Sequence, residues 1–151
     1  MTPTLSDLLR VENVIPRLKA GDKGRLIAEL AKRAAAAVGL TATELVALLA
    51  AREALGSTGV GAGIAVPHAR VEGLAAPLGF FARLEKPIDY EAIDGQPVDL
   101  VFLLLSPPQE AGGHLAALAA VSRRLRDRRT AEALRKTDDP ARMQALLVGD
   151  E

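Results

Sequence analysis

Two side chains in this 151-residue chain titrate near neutral pH, His68 and His114. An imidazole, with an unperturbed pKa of about 6.5, can serve there as nucleophile, base, acid or metal ligand. His68 ends the stretch Gly56-Ser57-Thr58-Gly59-Val60-Gly61-Ala62-Gly63-Ile64-Ala65-Val66-Pro67-His68. Proline fixes its own φ and pushes its predecessor into an extended shape, so Val66-Pro67 should hold the ring at the end of a strand on a stiff support. The upstream glycines let backbone approach a ligand closely and expose N–H groups. With the hydroxyls of Ser57 and Thr58 this suits an anion such as phosphate. No Lys-Ser/Thr pair follows to make a P-loop. The residues by themselves read as an anion site beside a histidine, or as a glycine turn beside a structural one.

His114 reads as a surface residue at a helix start, or as the second group able to do chemistry near neutral pH. Arg52 reads as a helix-end charge favoured by the dipole. Two histidines with no clear third ligand argue against a catalytic zinc, which takes three protein ligands.

The elements that must position these residues follow from pattern. Leu26, Ile27, Leu30, Ala34 and Val38 recur at three- and four-residue steps and predict a helix, with Asp22 as N-cap and Gly39 as its stop. Thr41-Ala42-Thr43-Glu44 spells a capping box opening a second helix that carries Leu45, Leu48, Leu49 and Arg52 and ends near Gly56. Gly79 to Leu84 and Val98 to Leu105 predict strands, the second apolar almost throughout, as in a strand covered on both faces. Lys86-Pro87 and Asp94-Gly95-Gln96-Pro97 supply turn chemistry between them. After Pro107-Pro108 the helical period returns, with Leu115, Leu118, Val121 and Leu125 on one core-facing stripe. A short helix from about Thr130 and another from Pro140 to Val148, capped by Asp139, complete the chain.

Composition narrows the function classes. The chain has no cysteine, which excludes disulfide frameworks, Cys-ligated zinc, iron–sulfur clusters and thiol catalysis. Its 19 Lys+Arg balance 19 Asp+Glu, so no global field draws it to nucleic acid or an anionic membrane. One Tyr, three Phe and no Trp make a poor stacking platform for single strands. The arginines at 123, 124, 126, 128 and 129 therefore read as a solvated helix face or a partner-docking edge. The apolar run Leu100 to Leu105 is far short of the roughly 20 residues of a membrane span. Asp7 and Arg10 interrupt any signal-like core. The expectation is one cytoplasmic domain over 1–151, with no nucleic-acid partner and no membrane insertion.

The segment Arg52-Glu53-Ala54-Leu55 running on through Gly56-Ser57-Thr58-Gly59 to Pro67-His68-Ala69-Arg70 closely resembles the active-site segment of fructose/mannitol-type (type 2) enzyme IIA domains of the phosphoenolpyruvate-dependent phosphotransferase system. Ile93-Asp94-Gly95-Gln96-Pro97-Val98-Asp99-Leu100-Val101-Phe102 looks like that family's central strand and its lead-in. His114-Leu115, with Leu118, Val121, Leu125 and Asp127, looks like the helix after it. The likeness extends from about Leu5 to Leu147, and the lack of an attached transport domain makes the free-standing nitrogen-regulatory branch look nearest.

The resemblance implies an α/β layered sandwich, a mixed, mostly short-stranded central sheet flanked by helices on both faces. It implies that His68 accepts a phosphoryl group on Nε2, that His114 and Arg52 stabilise that group, and that Ser57, Thr58 and Gly59 form the phosphate-site turn. Ala62 stands where relatives often carry a polar residue, so a side-chain hydrogen bond is missing there. The implied activity is that of a phosphocarrier with a transient phosphohistidine, needing no cofactor and no metal. It would be charged by an HPr-like protein and act on regulated target proteins. The alternatives are transfer to a IIB component for fructose- or mannitol-type sugar uptake, and a binding module that is never phosphorylated.

Overall fold

The computed structural model describes residues 4–108 and 111–149. In chain order the elements are α1 (Leu5–Leu8), β1 (Val14–Leu18), α2 (Lys23–Ala34), α3 (Ala42–Ala54), β2 (Gly59–Gly61), β3 (Ile64–Ala65), β4 (His68–Arg70), β5 (Leu78–Ile88), β6 (Val98–Ser106), α4 (Ala111–Arg126), α5 (Arg128–Arg135) and α6 (Pro140–Val148). The strands form one mixed sheet in the order β1-β5-β6-β3-β2, with β4 also on β6.

The long strand β6 organises everything else, and its alternation sets the layers. Val101, Leu103 and Leu105 point into a core made with Leu26 and Leu30 of α2 and Leu45 and Leu49 of α3. Leu100, Phe102 and Leu104 point the other way, into a core with Leu5 and Leu8 of α1, Val121 and Leu125 of α4, Leu134 of α5 and Leu147 of α6. An unbroken apolar run is what a strand buried on both faces requires. Helices cover both faces of a mixed sheet, as the type 2 resemblance implies.

Helix ends behave as their sequences dictate. Asp22 accepts from the Arg25 N–H, Asp139 accepts from the Ala141 N–H, and Thr41 and Glu44 bond reciprocally. Gly39 takes φ +73°, and a single 3₁₀ turn, Ala35–Val38, carries α2 to that stop. Asp127 caps α5 by accepting from the Thr130 N–H, and the helix begins at Arg128, two residues before the start expected from sequence.

One expectation is corrected, and one strand is missing from the sequence reading. Lys86-Pro87 is not a turn but the last part of β5. Pairing with β6 is interrupted between Arg83 and Ile88, so Pro87 sits where no ladder bond needs its missing N–H. Nor does the sequence pattern mark β1, whose run Val14-Ile15-Pro16-Arg17-Leu18 is broken by a proline. It is an edge strand, parallel to β5, with a register shift between Ile15 and Leu18 that accommodates Pro16.

No single helix among the described residues is long and apolar enough to cross a membrane; only α2 and α3 together meet that criterion, and they are bent by 118°.

Two short strands lie end to end along one side of β6. β3 pairs Ile64 with Leu100 and Ala65 with Val101, while β4 pairs His68 with Leu104. Val66-Pro67 bridges them, and the Pro67 carbonyl accepts from the Leu104 N–H at 3.0 Å. Proline thus removes a donor on the outer side while its carbonyl keeps the chain on the sheet. That step delivers His68 to the C-terminal end of β6.

Candidate active site

His68 is half-buried, and both of its ring nitrogens are committed. Nδ1 lies 2.9 Å from the Val66 carbonyl oxygen, and Nε2 lies 3.1 Å from Nε of Arg52. A carbonyl can only accept and a guanidinium N–H can only donate. Nδ1 therefore carries the proton and Nε2 the lone pair. Burial lowers the His68 pKa; the Val66 carbonyl pulls it back up, and the Arg52 cation lowers it further. The result at neutral pH is an uncharged imidazole in a single tautomer, a nucleophile at Nε2.

The second histidine comes from the other side of the sheet connection. His114, on the first turns of α4, is only 4% exposed, with its ring centroid 5.3 Å from that of His68 and the planes tilted by 57°. Its Nδ1 is 2.7 Å from the Ser106 hydroxyl. Burial, with smaller contributions from His68 and Arg70, pushes its pKa down to about 4. Forty-six residues separate the two rings in sequence; the β4–β6 pairing and the return of the chain into α4 bring them together.

Arg52 occupies the last turn of α3, which packs against β4. Its Nη1 donates to the Gly56 carbonyl at 2.9 Å, so the side chain ties down the turn just after its own helix while Nε reaches His68. One rotamer thus places Arg52 both at the end of α3 and against the His68 ring. The neighbouring Glu53 anchors the turn that follows. Its carboxylate accepts from the Thr58 N–H at 3.0 Å, from the Thr58 hydroxyl, and from the Tyr90 hydroxyl at 3.1 Å. Lys23 pairs with it at 2.9 Å and lies over the Tyr90 ring. Burial pushes the Glu53 carboxyl up, but the Thr58 and Lys23 bonds outweigh it and hold the pKa below the usual range.

These side chains open onto a cleft of about 450 Å³. Arg52, His68, Arg70 and His114 supply its polar wall, and Leu48, Leu55, Leu115 and Leu118 its apolar rim. No carboxylate is among the described residues that line it. A site with two guanidinium groups, two neutral imidazoles and no acid is electrostatically suited to an oxyanion. Among the described residues no cluster of three or more His, Asp or Glu is placed to hold a metal ion.

The predicted phosphate-site turn lies elsewhere. Ser57 donates to the Tyr90 carbonyl at 3.3 Å and accepts from the Gly59 N–H at 3.1 Å. Thr58 is buried against Glu53 and Tyr90. None of Ser57, Thr58 and Gly59 lines the cleft. Gly59 is required for packing, since a Cβ there would come within 2.7 Å of the Ala92 Cβ. The glycines that follow serve a hairpin. Gly61, Ala62 and Gly63 all have positive φ at the β2–β3 turn, and Asp94 accepts from the Ala62 N–H at 3.0 Å. That turn is stapled on its far side by Arg135, which bonds the Ala62 carbonyl and both oxygens of Asp99. The polar side chain missing at Ala62 therefore belongs to a turn and not to the cleft.

Leu115 is a second departure. Expected in the core stripe, it is 64% exposed, and Ala117, Val121 and Leu125 form the buried face of α4 instead. Its side chain belongs to the cleft rim. Arg70 and Ser106 are site residues that pattern alone does not single out, though Arg70 is two residues beyond His68 and falls on the same strand.

The chain matches the family model "Phosphoenolpyruvate-dependent sugar phosphotransferase system, EIIA 2" over residues 7–149. A nitrogen regulatory protein of Bradyrhizobium diazoefficiens is 43% identical over 144 residues, which cover 95% of this chain and 94% of that protein. The crystal structure of nitrogen regulatory protein IIA-Ntr from Neisseria meningitidis is similar at a TM-score of 0.90 and 31% identity, covering 95% of this chain and 98% of that one. The fold is shared as well with a structure described as a complex of enzyme IIAMTL and phosphorylated enzyme IIBMTL from Escherichia coli. There the TM-score is 0.78 and the identity 22%, over 93% of this chain and 97% of that one. Matched over nearly its whole length in sequence and in fold, the chain belongs to the EIIA type 2 family of the phosphoenolpyruvate-dependent sugar phosphotransferase system.

Proposed function

We propose that this protein is a phosphocarrier of the nitrogen-regulatory type. His68 accepts a phosphoryl group from the phosphohistidine of an HPr-like protein, and the phosphorylation state decides which partner proteins the cleft face binds. The observation that carries this reading is the fixed tautomer of His68, whose Nε2 lone pair is held by Arg52 at the edge of a cation-lined cleft with no carboxylate among the described residues that line it.

The step balances without a metal. The Nε2 lone pair forms the new P–N bond while the electron pair of the donor's P–N bond leaves with the donor nitrogen. The Nδ1 proton stays in place, and the Val66 carbonyl, accepting from it, offsets the positive charge that develops on the ring. Transfer between two imidazoles nearly conserves bond energy, so the protein has chiefly to align the three centres and stabilise the charge on the equatorial oxygens. Arg52 leaves the lone pair as phosphorus arrives and turns to those oxygens, with Arg70 and His114 as further donors. The added charge, about −1.5 to −2, falls on a surface that was locally positive, which inverts its electrostatic preference for partners.

The test is reconstitution with phosphoenolpyruvate, enzyme I and the HPr-like carrier, followed by mapping of acid-labile phosphate. The expected result is one phosphoryl group on His68, and none on a His68→Ala protein that remains folded. Wild-type protein that takes up none, beside a relative that does, overturns the reading. A second reading, discharge to a IIB-type protein, is favoured by the fold neighbour solved with phosphorylated enzyme IIB. Rapid loss of label to a IIB domain would select it.

A further inference from the structure

We infer that Ser106 is a positioning residue that sets the protonation pattern of His114. Its hydroxyl donates to Nδ1, so that His114 presents an uncharged Nε2–H to the cleft.

Ser106 ends β6, is 0% exposed, and accepts the Val71 N–H at its carbonyl at 2.8 Å. Among the described residues its hydroxyl has one partner, Nδ1 of His114 at 2.7 Å. Two arrangements satisfy that distance. In one, Nδ1–H donates to the hydroxyl oxygen, and the hydroxyl proton is left in the core with no acceptor. In the other, the hydroxyl donates to the Nδ1 lone pair and nothing buried is left unpaired. Buried polar hydrogens find partners with few exceptions, so the second arrangement is the one adopted. The ring proton then sits on Nε2. With Nδ1 turned toward the end of β6, the opposite edge of the ring faces the cleft that His114 shares with His68.

Charge follows from the same bond. Protonating His114 would place a second N–H against the serine hydroxyl, which must give up its only acceptor and turn round. Ser106 therefore holds the ring neutral, in the direction that burial already pushes it. The two histidines end in opposite roles through opposite neighbours. The Val66 carbonyl puts the His68 proton on Nδ1 and frees Nε2 as a lone pair, and the Ser106 hydroxyl puts the His114 proton on Nε2 and makes it a donor. One ring supplies the acceptor atom and the other a hydrogen bond to the transferred oxygens, without a second full charge that would act as an acid on the phosphohistidine.

The tautomer stands on geometry alone; its consequence for transfer rests on the phosphocarrier reading. The experiment is long-range ¹H–¹⁵N correlation of both imidazoles at neutral pH in the wild-type protein and in Ser106→Ala, with phosphoryl-transfer kinetics from the phosphorylated carrier on the same samples. We expect the Nε2–H form of His114 in the wild type. In Ser106→Ala we expect a mixture of tautomers, an upward move of the His114 titration, and a fall in kcat of about tenfold at unchanged KM. A wild-type His114 in the Nδ1–H form overturns the inference without any variant. So does a Ser106→Ala protein with wild-type tautomer, titration and rate. Failure of the wild type to accept phosphate, with the Nε2–H form observed, instead overturns the phosphocarrier reading and leaves the assignment of Ser106 standing.

Discussion

Nε of Arg52 donates to Nε2 of His68 at 3.1 Å, so the atom that would take phosphorus is already bonded to the cation that would neutralise it. The same guanidinium is tied by Nη1 to the Gly56 carbonyl at 2.9 Å, which keeps it at the cleft when Nε lets go. In this structure the lone pair is covered, and under the proposed phosphocarrier role attack would require an exchange of partners, with Arg52 moving from nitrogen to phosphoryl oxygen. A cation beside an imidazole also disfavours imidazolium, so Arg52 favours the neutral form of His68 and, under the proposed role, would also meet the charge that arrives.

Replacing Arg52 separates these effects. In Arg52→Ala the His68 pKa should rise, because a nearby positive charge that lowers it is gone. Phosphoryl acceptance should slow by roughly 10²-fold, the usual consequence of losing one charge-stabilising donor. Imidazole NMR titration and transfer kinetics read the two quantities on the same protein. A faster Arg52→Ala would mean that the residue only covers the lone pair.

The pair of depressed histidines gives the fold a pH dependence of defined sign. His114 titrates at about 4 when folded and near 6.5 when unfolded. Between those values the unfolded chain binds a proton that the folded one refuses, so stability is complete above the unfolded pKa and is lost as pH falls. From pH 7 to pH 5 the loss attributable to His114 is about 2 kcal/mol, and His68 adds to it in the same direction. The lowered carboxylates of Asp7, Glu44, Asp94, Asp127 and Asp138 act only at lower pH, below their usual range. Urea unfolding at the two pH values, on wild type and on His114→Gln, measures the difference. Equal losses in both proteins would show that His114 is not the group responsible.

Local chemistry in the sequence was readable wherever one short segment decides the outcome. Asp22, Thr41 and Asp139 cap their helices because a side chain three residues or fewer away satisfies an N–H, and this needs no knowledge of the rest of the chain. The glycine run misleads for the opposite reason. Its flexibility is spent on a hairpin and on the approach of Gly59 to Ala92, thirty-three residues later, a contact that no local pattern reports. The Glu53, Thr58, Tyr90 and Lys23 network is hidden in the same way, since its members come from two helices and two loops. Leu115 fits the apolar period of α4 yet faces out at the cleft, because periodicity alone does not say which apolar residues a neighbouring element covers.

Ala62 tests whether the hairpin is mechanically separate from the site. Its φ of +59° lies in the left-handed region, where a Cβ is penalised and glycine or asparagine is favoured. The residue is exposed at the turn between β2 and β3. Ala62→Gly or Ala62→Asn should therefore stabilise the protein by about 0.5–1 kcal/mol. Thermal unfolding detects that gain, and the phosphoryl-transfer rate should not change. A rate change at this position would mean that the turn communicates with the cleft.

The rim of the cleft should govern encounter with the donor and not chemistry. Leu55 is 83% exposed at the end of α3, and Leu115 faces it from α4 across the histidines. Large apolar side chains left in water beside a reactive group are a cost that a partner surface can remove. Leu55→Asp replaces such an anchor and sets a negative charge in the path of a dianionic phosphoryl group. It should raise KM for the phosphorylated carrier about tenfold, with a stability change within about 0.5 kcal/mol because the position makes no core contact. Ile93 is the control, also 83% exposed but absent from the cleft wall. Ile93→Asp should leave KM where it was. If the two substitutions weaken the encounter equally, the effect is one of net charge, and the leucine rim has no special part in docking.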